Sequence, residues 1–422
     1  MPADPETAPA PPPRRLLVRG VNWLGDAVMT TPALLRLRER FPQAHITLLT
    51  ATKLADLWFH HPAVDAVITL APGEPPWRVG RRLRAENFDL GLVFPASPRS
   101  AWEVWFGRVP RRVGFAGQWR RWLLTDVVER PPAYVRMRKR SPAEIRRLIG
   151  SPEGSKGDAL PPTRTLPTHA PIEVEGAVRQ QLSAAQPQTG GPTSSAPSNL
   201  PPEAHQVFHY LHLVRHLGAC TQPLAPCLCL SAAERTDARA RVQALAGQSA
   251  LPGHKPWLGL NAGAEYGPAK RWPVANFVAV AREVSRQTGA VWLILGGPND
   301  RLLAAEIQQN LPGAVNLTGR TSLRELMQAL TVCDLLLTND TGPMHLAAAL
   351  GTPVVALFGS TAPALTGPGL PGDPRHEVLW ARVPCAPCFL RVCPVDFRCM
   401  HALSVEAVTQ AVLRRLGQVW PG

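Results

Sequence analysis

Two runs of short apolar segments alternating with helical stretches, separated by a tract that cannot pack, constrain this 422-residue chain more than any other feature. In the first run Arg15-Leu-Leu-Val-Arg19 reads as a strand and Gly20-Val-Asn-Trp-Leu-Gly25 as a loop. A helix over 32–41 then carries Leu34, Leu35, Leu37 and Phe41 on one face, with Pro32 in its first turn. Residues 44–50, 64–70 and 88–94 are further strands. In the second run, strands are expected at 257–261, 290–295, 335–338 and 353–358, and helices at 274–287, 323–330, 344–350 and 404–416. Strands alternating with helices predict βαβ units and a parallel sheet in each run. Ligands of such sheets gather at the carboxyl ends of the strands, so two tandem units leave a cleft between them.

The intervening residues 151–206 are dominated by Pro, Ser, Thr, Gly, Ala and Gln. Such a stretch buries too little apolar surface to offset its ordering entropy, so a disordered insertion is expected over about 151–204, with a helix beginning near His205. A proline-rich tail is expected over 1–13; it has neither a basic start nor an apolar stretch, which predicts a cytoplasmic protein with reduced cysteines. No uninterrupted apolar run reaches the ~18 residues that a membrane span needs.

Charge is unevenly spread. Of the net +14, residues 1–150 contribute +11, 151–206 contribute −2 and the remainder +5. A polyanion meeting the first half is one expectation, and a solvated arginine-rich surface the other. Trp77, Trp102, Trp105, Trp119 and Trp122 lie among those arginines, a mixture suited to a membrane surface and equally to core packing. No recognisable nucleic-acid-binding module accompanies the charge, so nucleic acid is not an expected partner.

Three segments can carry chemistry. Asn339-Asp-Thr-Gly-Pro-Met-His345 follows a strand and opens a helix, which turns backbone N–H groups and the helix dipole toward the crevice and suits a diphosphate. Asp340 and Thr341 can cap that helix, Gly342 allows close approach, and His345 lies one turn in, where it is either a ligand contact or a core histidine. Asn261-Ala-Gly-Ala-Glu-Tyr-Gly-Pro-Ala-Lys-Arg-Trp-Pro273 also follows a strand, with Lys270 and Arg271 as phosphate-directed cations. In Gly20-Val-Asn-Trp-Leu-Gly-Asp26, Asp26 is either a general base or a helix cap, and residue physics alone favours the cap. The chain has no Asp-x-Asp and no Gly-rich dinucleotide fingerprint, which argues against a Mg²⁺-bridged nucleotide site and against an NAD enzyme. Cys385, Cys388, Cys393 and Cys399 form a C-x₂-C-x₄-C-x₅-C array that can hold zinc or iron as a structural site, or pack a loop as buried thiols.

Together these segments resemble glycosyltransferase family 9, the ADP-heptose:lipopolysaccharide heptosyltransferases, and within it the heptosyltransferase II type. The likeness rests on Asn22-Trp-Leu-Gly-Asp26, on Gly263 through Pro273, on Asn339 through His345, and on Gly351-Thr-Pro353, Phe358-Gly-Ser-Thr361 and the late cysteines. It implies an α/β GT-B fold, two Rossmann-like parallel-sheet domains facing a cleft, with the acceptor on 14–222 and ADP-heptose on 223–422. It also implies an inverting reaction that needs no cofactor or metal ion, at the cytoplasmic face of the inner membrane, on a lipopolysaccharide inner-core acceptor. Carried over by motif, Asp26 is the catalytic base, and Gly263, Glu265, Lys270, Asp340, Thr341, Gly342 and His345 bind the donor. A heptosyltransferase I or a paralogue with another acceptor, a sugar-nucleotide epimerase and a non-enzymatic polyanion binder are the alternatives.

Overall fold

A computed structural model describes residues 11–117, 119–150, 200–246 and 255–419. Most of the expected tail and residues 151–199 of the expected insertion therefore lie outside the described residues.

Six strands form the first sheet: β1 (Arg15–Arg19), β2 (His45–Ala51), β3 (Ala66–Leu70), β4 (Leu90–Val93), β5 (Arg111–Phe115) and β6 (Asp126–Val128). Six form the second: β7 (Trp257–Asn261), β8 (Val291–Ile294), β9 (Val315–Asn316), β10 (Leu335–Asn339), β11 (Val354–Phe358) and β12 (His376–Trp380). Every pairing is parallel, and the orders are β3-β2-β1-β4-β5-β6 and β12-β11-β10-β7-β8-β9. Both are doubly wound, and both reverse direction once, between β1 and β4 and between β7 and β10. The loops leaving those four strands must diverge at that point and open a crevice.

Helices of the first half are α1 (Leu24–Met29), α2 (Thr31–Arg40), α3 (Pro76–Arg84), α4 (Pro98–Phe106), α5 (Pro142–Gly150) and α6 (Gln206–Arg215). Those of the second are α7 (Ala232–Ala246), α8 (Val274–Thr288), α9 (Arg301–Asn310), α10 (Leu323–Thr331), α11 (Gly342–Leu350), α12 (Pro363–Thr366), α13 (Arg398–His401) and α14 (Val405–Val419). The central strands are buried on both faces, as β7, β10 and β11 show along their whole length, because helices cover each side of the sheet.

The strands recognised from apolar runs sit within a residue or two of their expected places. β5 escapes such a reading because it opens on Arg111-Arg112. In the structure Arg111 pairs with Asp126 of β6 at 3.0 Å, and Arg112 donates to the Leu123 carbonyl at 2.7 Å. Charge on the outer strands blunts the sheet edge.

Two elements cross between the halves. Past β6 the chain leaves its sheet; the Arg140 amide donates to the Cys388 carbonyl at 3.0 Å, and α5 lays Ile145 against Cys385 and Cys388 of the second half. In return α6, which follows the insertion, packs on α1 and α2 and buries Val207, Tyr210, Leu211, Leu213 and Val214 in the first domain's core. The last residues expected to belong to the insertion are part of the fold as well. Leu200 and Ala204 pack with Ala362, Leu365 and Phe389, because their apolar side chains meet an apolar patch of the second domain.

Candidate active site

The two switch-point crevices face each other across a cavity of about 640 Å³. From the first domain its wall includes Trp23, Gly25, Asp26, Arg130, Tyr134, Arg136, Lys139, Gln206 and His209; from the second, Glu265, Tyr266, Lys270, Asp340, Thr341, Gly342, His345, Thr361 and Arg391.

The closest approach is made through glycine. A Cβ on Gly25 would lie 2.6 Å from the His345 Cδ2, and one on Gly342 2.7 Å from a Leu24 methyl. Each domain thus presents a helix start bare of side chain where the other domain's side chain must fit. α1 and α11 meet there, at the edge of the cavity.

Asp26 occupies the first turn of α1, whose N-cap is Trp23 with no side-chain cap bond. The capping role that residue physics favoured is therefore overturned: three residues past the N-cap, the carboxylate turns into the cavity instead. Burial pushes its pKa up from 3.8 to about 6; Lys270 across the cleft pulls it down, Asp340 pushes it up, and a hydrogen bond with Gln206 lowers it. A carboxylate so placed is ionised at neutral pH and basic enough to take a proton.

On the facing wall, Lys270 Nζ lies 2.5 Å from Asp340 Oδ2, and Thr361 Oγ1 donates to the same oxygen at 2.6 Å. Asp340 is thereby a partner for Lys270 and not a cap, and the Thr341 side chain makes no cap bond either. Among the described residues neither side chain caps the start of α11, which borders the cavity at Thr341 and Gly342. Asn339 locks the two loops together, accepting from the Trp272 amide at 3.1 Å and donating to the Ala262 carbonyl at 2.8 Å. His345 is 5% exposed, and burial lowers its pKa to about 4, so it faces the cavity as a neutral imidazole.

Not every expected donor residue reaches the wall. Gly263 packs on Asp300, where a Cβ would clash at 2.5 Å, so it shapes the neighbouring Gly296-Gly297 turn. Arg271 turns the same way, 3.8 Å from Asp300, leaving Lys270 as the cation of that pair at the cavity. Glu265 lines the cavity but is held by Lys53 of the first domain at 2.9 Å. The four late cysteines surround a void of about 10 Å³ with Ile145 and Arg398. Burial raises the pKa of Cys385 and Cys388 and pushes Cys399 up to about 12. Neutral packed thiols are what this surrounding favours, and among the described residues no group of three His, Cys, Asp or Glu is arranged to hold a metal ion.

Arg130, Tyr134, Arg136, Lys139, Gln206, His209 and Arg391 were not singled out from the sequence, since no local pattern marks them. They come from the irregular strand-to-helix crossing, from α6 and from the cysteine loop, and only the tertiary fold brings them to one wall. His209 is buried, its Nε2 has no hydrogen-bond partner among the described residues, and burial beside Arg130 lowers its pKa to about 4.

Two doubly wound domains facing one cavity, with Asp26 on one wall and Lys270 and the start of α11 on the other, have the architecture of a GT-B glycosyltransferase. The family model for glycosyltransferase family 9 (heptosyltransferase) matches residues 180–397, and the chain belongs to that family. The lipooligosaccharide heptosyltransferase 2 of Haemophilus influenzae is 26% identical over 84% of this chain and 85% of its own length. The lipopolysaccharide heptosyltransferase 2 of Escherichia coli K12 is 27% identical over 84% and 85%. In fold, the chain is similar to the solved structure of the E. coli ADP-heptose lipopolysaccharide heptosyltransferase II, with a TM-score of 0.66 and 24% identity, covering 96% of this chain and 99% of that one.

Proposed function

We propose that this enzyme transfers a heptose from ADP-heptose to the first heptose of a lipopolysaccharide inner core, with inversion at the anomeric carbon. The observation that carries the reading is the opposition of Asp26 to the Lys270–Asp340 pair and the bare start of α11 across one cavity. Asp26 takes the proton of an acceptor hydroxyl, that oxygen attacks the anomeric carbon, and ADP leaves from the opposite face. Charge building on the diphosphate is met by Lys270 and by the N–H groups at Thr341 and Gly342. His345, neutral and packed on Gly25, shapes this cradle and adds a hydrogen-bonding imidazole. Arg130, Arg136 and Lys139 line the first-domain side, where an anionic acceptor core would lie. Mass spectrometry of products formed from ADP-heptose and a mono-heptosylated core acceptor tests the assignment; one added heptose is expected, and free heptose or an isomerised nucleotide sugar would overturn it.

A lysine and a helix start supply the charge that a divalent ion supplies in other glycosyltransferases. Turnover is therefore expected to survive exhaustive treatment with EDTA. Loss of activity that Mg²⁺ restores would show that this charge balance is wrong.

The acceptor lies in a membrane, and no described helix is long and apolar enough to cross one, so association would be peripheral. The face built from α3, α4 and the turn at Arg121–Leu123 suits that contact. Trp119 is 86% and Trp122 60% exposed, Trp122 and Trp105 pack edge-on around Trp102, and Arg78 lies over the Trp77 ring. Arg82 and Arg84 are committed to Glu74 and to the Phe106 carbonyl, so the membrane-directed cations are Arg78 and Arg81. At about 1 kcal/mol for each arginine near an anionic surface, Arg78→Ser with Arg81→Ser should weaken binding to anionic vesicles roughly 10–30-fold at low salt. The difference should shrink as salt rises. Vesicle sedimentation at two salt concentrations measures it, and unchanged binding would remove this face from the membrane.

A further inference from the structure

We infer that Gln206 is a positioning residue for the Asp26 base, and that it ties the base to the docking of the two domains. The inference rests on the reading of Asp26 as the base.

Gln206 is the first residue of α6, faces the cavity, and lies beside α1. Its Nε2 donates to the Tyr210 hydroxyl at 3.0 Å, one turn along the same helix, and its side chain lines the cavity with Asp26, near enough to pull that carboxyl's pKa down. Tyr210 is buried against Phe94 at the end of β4, with ring centroids 5.2 Å apart. One N–H of the amide is therefore fixed by a rigid phenol, and the second N–H of the same nitrogen is the donor available to the carboxylate. A hydrogen bond to the ionised form keeps the carboxylate deprotonated and aimed into the cavity.

The same turn of α6 is fastened to the other domain. His205, its N-cap, is 1% exposed; its Nδ1 accepts from the Val207 amide at 3.4 Å, so its Nε2 carries the proton and donates to the Gly367 carbonyl at 3.2 Å. Gly367 closes α12 on the donor side of the cleft. The residue that orients the base is thus adjacent to one that grips the donor-binding domain, and the base reaches its working geometry when the two domains meet. The ionisable groups around Asp26 among the described residues include Lys270 and Asp340 from the donor loops, His345 from α11, His209 and Tyr210 from α6, and Arg130. Three of these, His345, His209 and Tyr210, are neutral around pH 6–7. The acidic limb of the rate profile therefore reports Asp26.

The test is the pH dependence of kcat/KM in full-length Gln206→Met and Gln206→Glu. Methionine fills the same space and cannot donate, so the acidic limb should move up by roughly 0.5–1.5 pH units. Glutamate places a second carboxylate beside Asp26 and should move the limb further. ADP affinity should stay within about threefold of wild type in both, which also reports a folded donor domain. A limb unmoved in Gln206→Met, with wild type active, overturns the role of Gln206. Equal shifts in the two variants overturn it as well, because a packing defect would not distinguish them. A wild-type enzyme that makes no glycoside instead overturns the parent reading, independently of Gln206.

Discussion

Asp26→Asn is expected to lower turnover by roughly 10²–10⁴ while making the protein more stable. The amide keeps the size and polarity of the carboxylate but cannot accept the acceptor's proton, and general-base catalysis usually has that weight. ADP affinity should barely change, because the proposed donor cradle, Lys270 and the start of α11, lies on the opposite wall. The gain in stability follows from burial. Folding raises the Asp26 pKa from 3.8 to about 6, so the folded state binds its proton more readily than the unfolded chain does. Stability from this group is full below pH ~4 and is lost as pH rises toward ~6. At pH 7 the ionised group costs on the order of 2–3 kcal/mol, which asparagine removes. A melting temperature a few degrees above wild type at pH 7, converging toward it near pH 4, is the expected signature. Near-normal turnover would return Asp26 to a structural role, and a lower melting temperature at pH 7 would contradict its burial as a charge.

The second large effect lies across the cleft. Lys270→Met should weaken ADP binding by roughly 10–150-fold, the weight of a hydrogen bond to a charged group. It should also lower turnover, because leaving-group charge would build without its cation. This variant strands Asp340, which is 4% exposed at its side chain and keeps only Thr361 as a partner among the described contacts. Breaking a buried pair from one side costs about 3–5 kcal/mol. Lys270→Met with Asp340→Asn separates the two effects: the neutral amide should recover much of the melting temperature without recovering ADP affinity. Calorimetric titration with ADP decides the matter, and wild-type affinity in the double variant would remove Lys270 from the donor site.

Much of this architecture was legible because buried parallel strands must be apolar throughout. Runs such as Leu335-Leu-Leu-Thr338 and Val354-Val-Ala-Leu-Phe358 declare themselves, and the motif loops follow them directly. What stayed hidden is of two kinds. β5 and β12 begin with charged or polar residues whose partners, Asp126 for Arg111 and Arg414 and Arg415 for Glu377, lie elsewhere in the chain. In the site, local spacing does not report where a side chain turns: Arg271 and Gly263 sit in the right loop and face Asp300, whereas Gln206 and His209 follow an uninformative tract and line the cavity with Asp26. Asp26 illustrates the limit well. Its position at a helix start permitted two roles, and only the packing of α1 against α11 shows that its carboxylate sits at the cavity, three residues past the N-cap.

The exchange of α5 and α6 between the halves bears on how this chain is made and cut. A ribosome that has delivered residues 1–150 has supplied every strand of the first sheet but not α6, so that sheet emerges with the faces of α1 and α2 uncovered. Its core closes only when residues 206–215 arrive from beyond the insertion, and α5 must wait longer still for the cysteine loop. A protease that nicked the chain between 151 and 199 would yield two fragments, each holding a helix that belongs to the other's domain. Such fragments are interlocked by their apolar surfaces, and a single band on a gel under denaturing conditions becomes two while the native particle keeps its size.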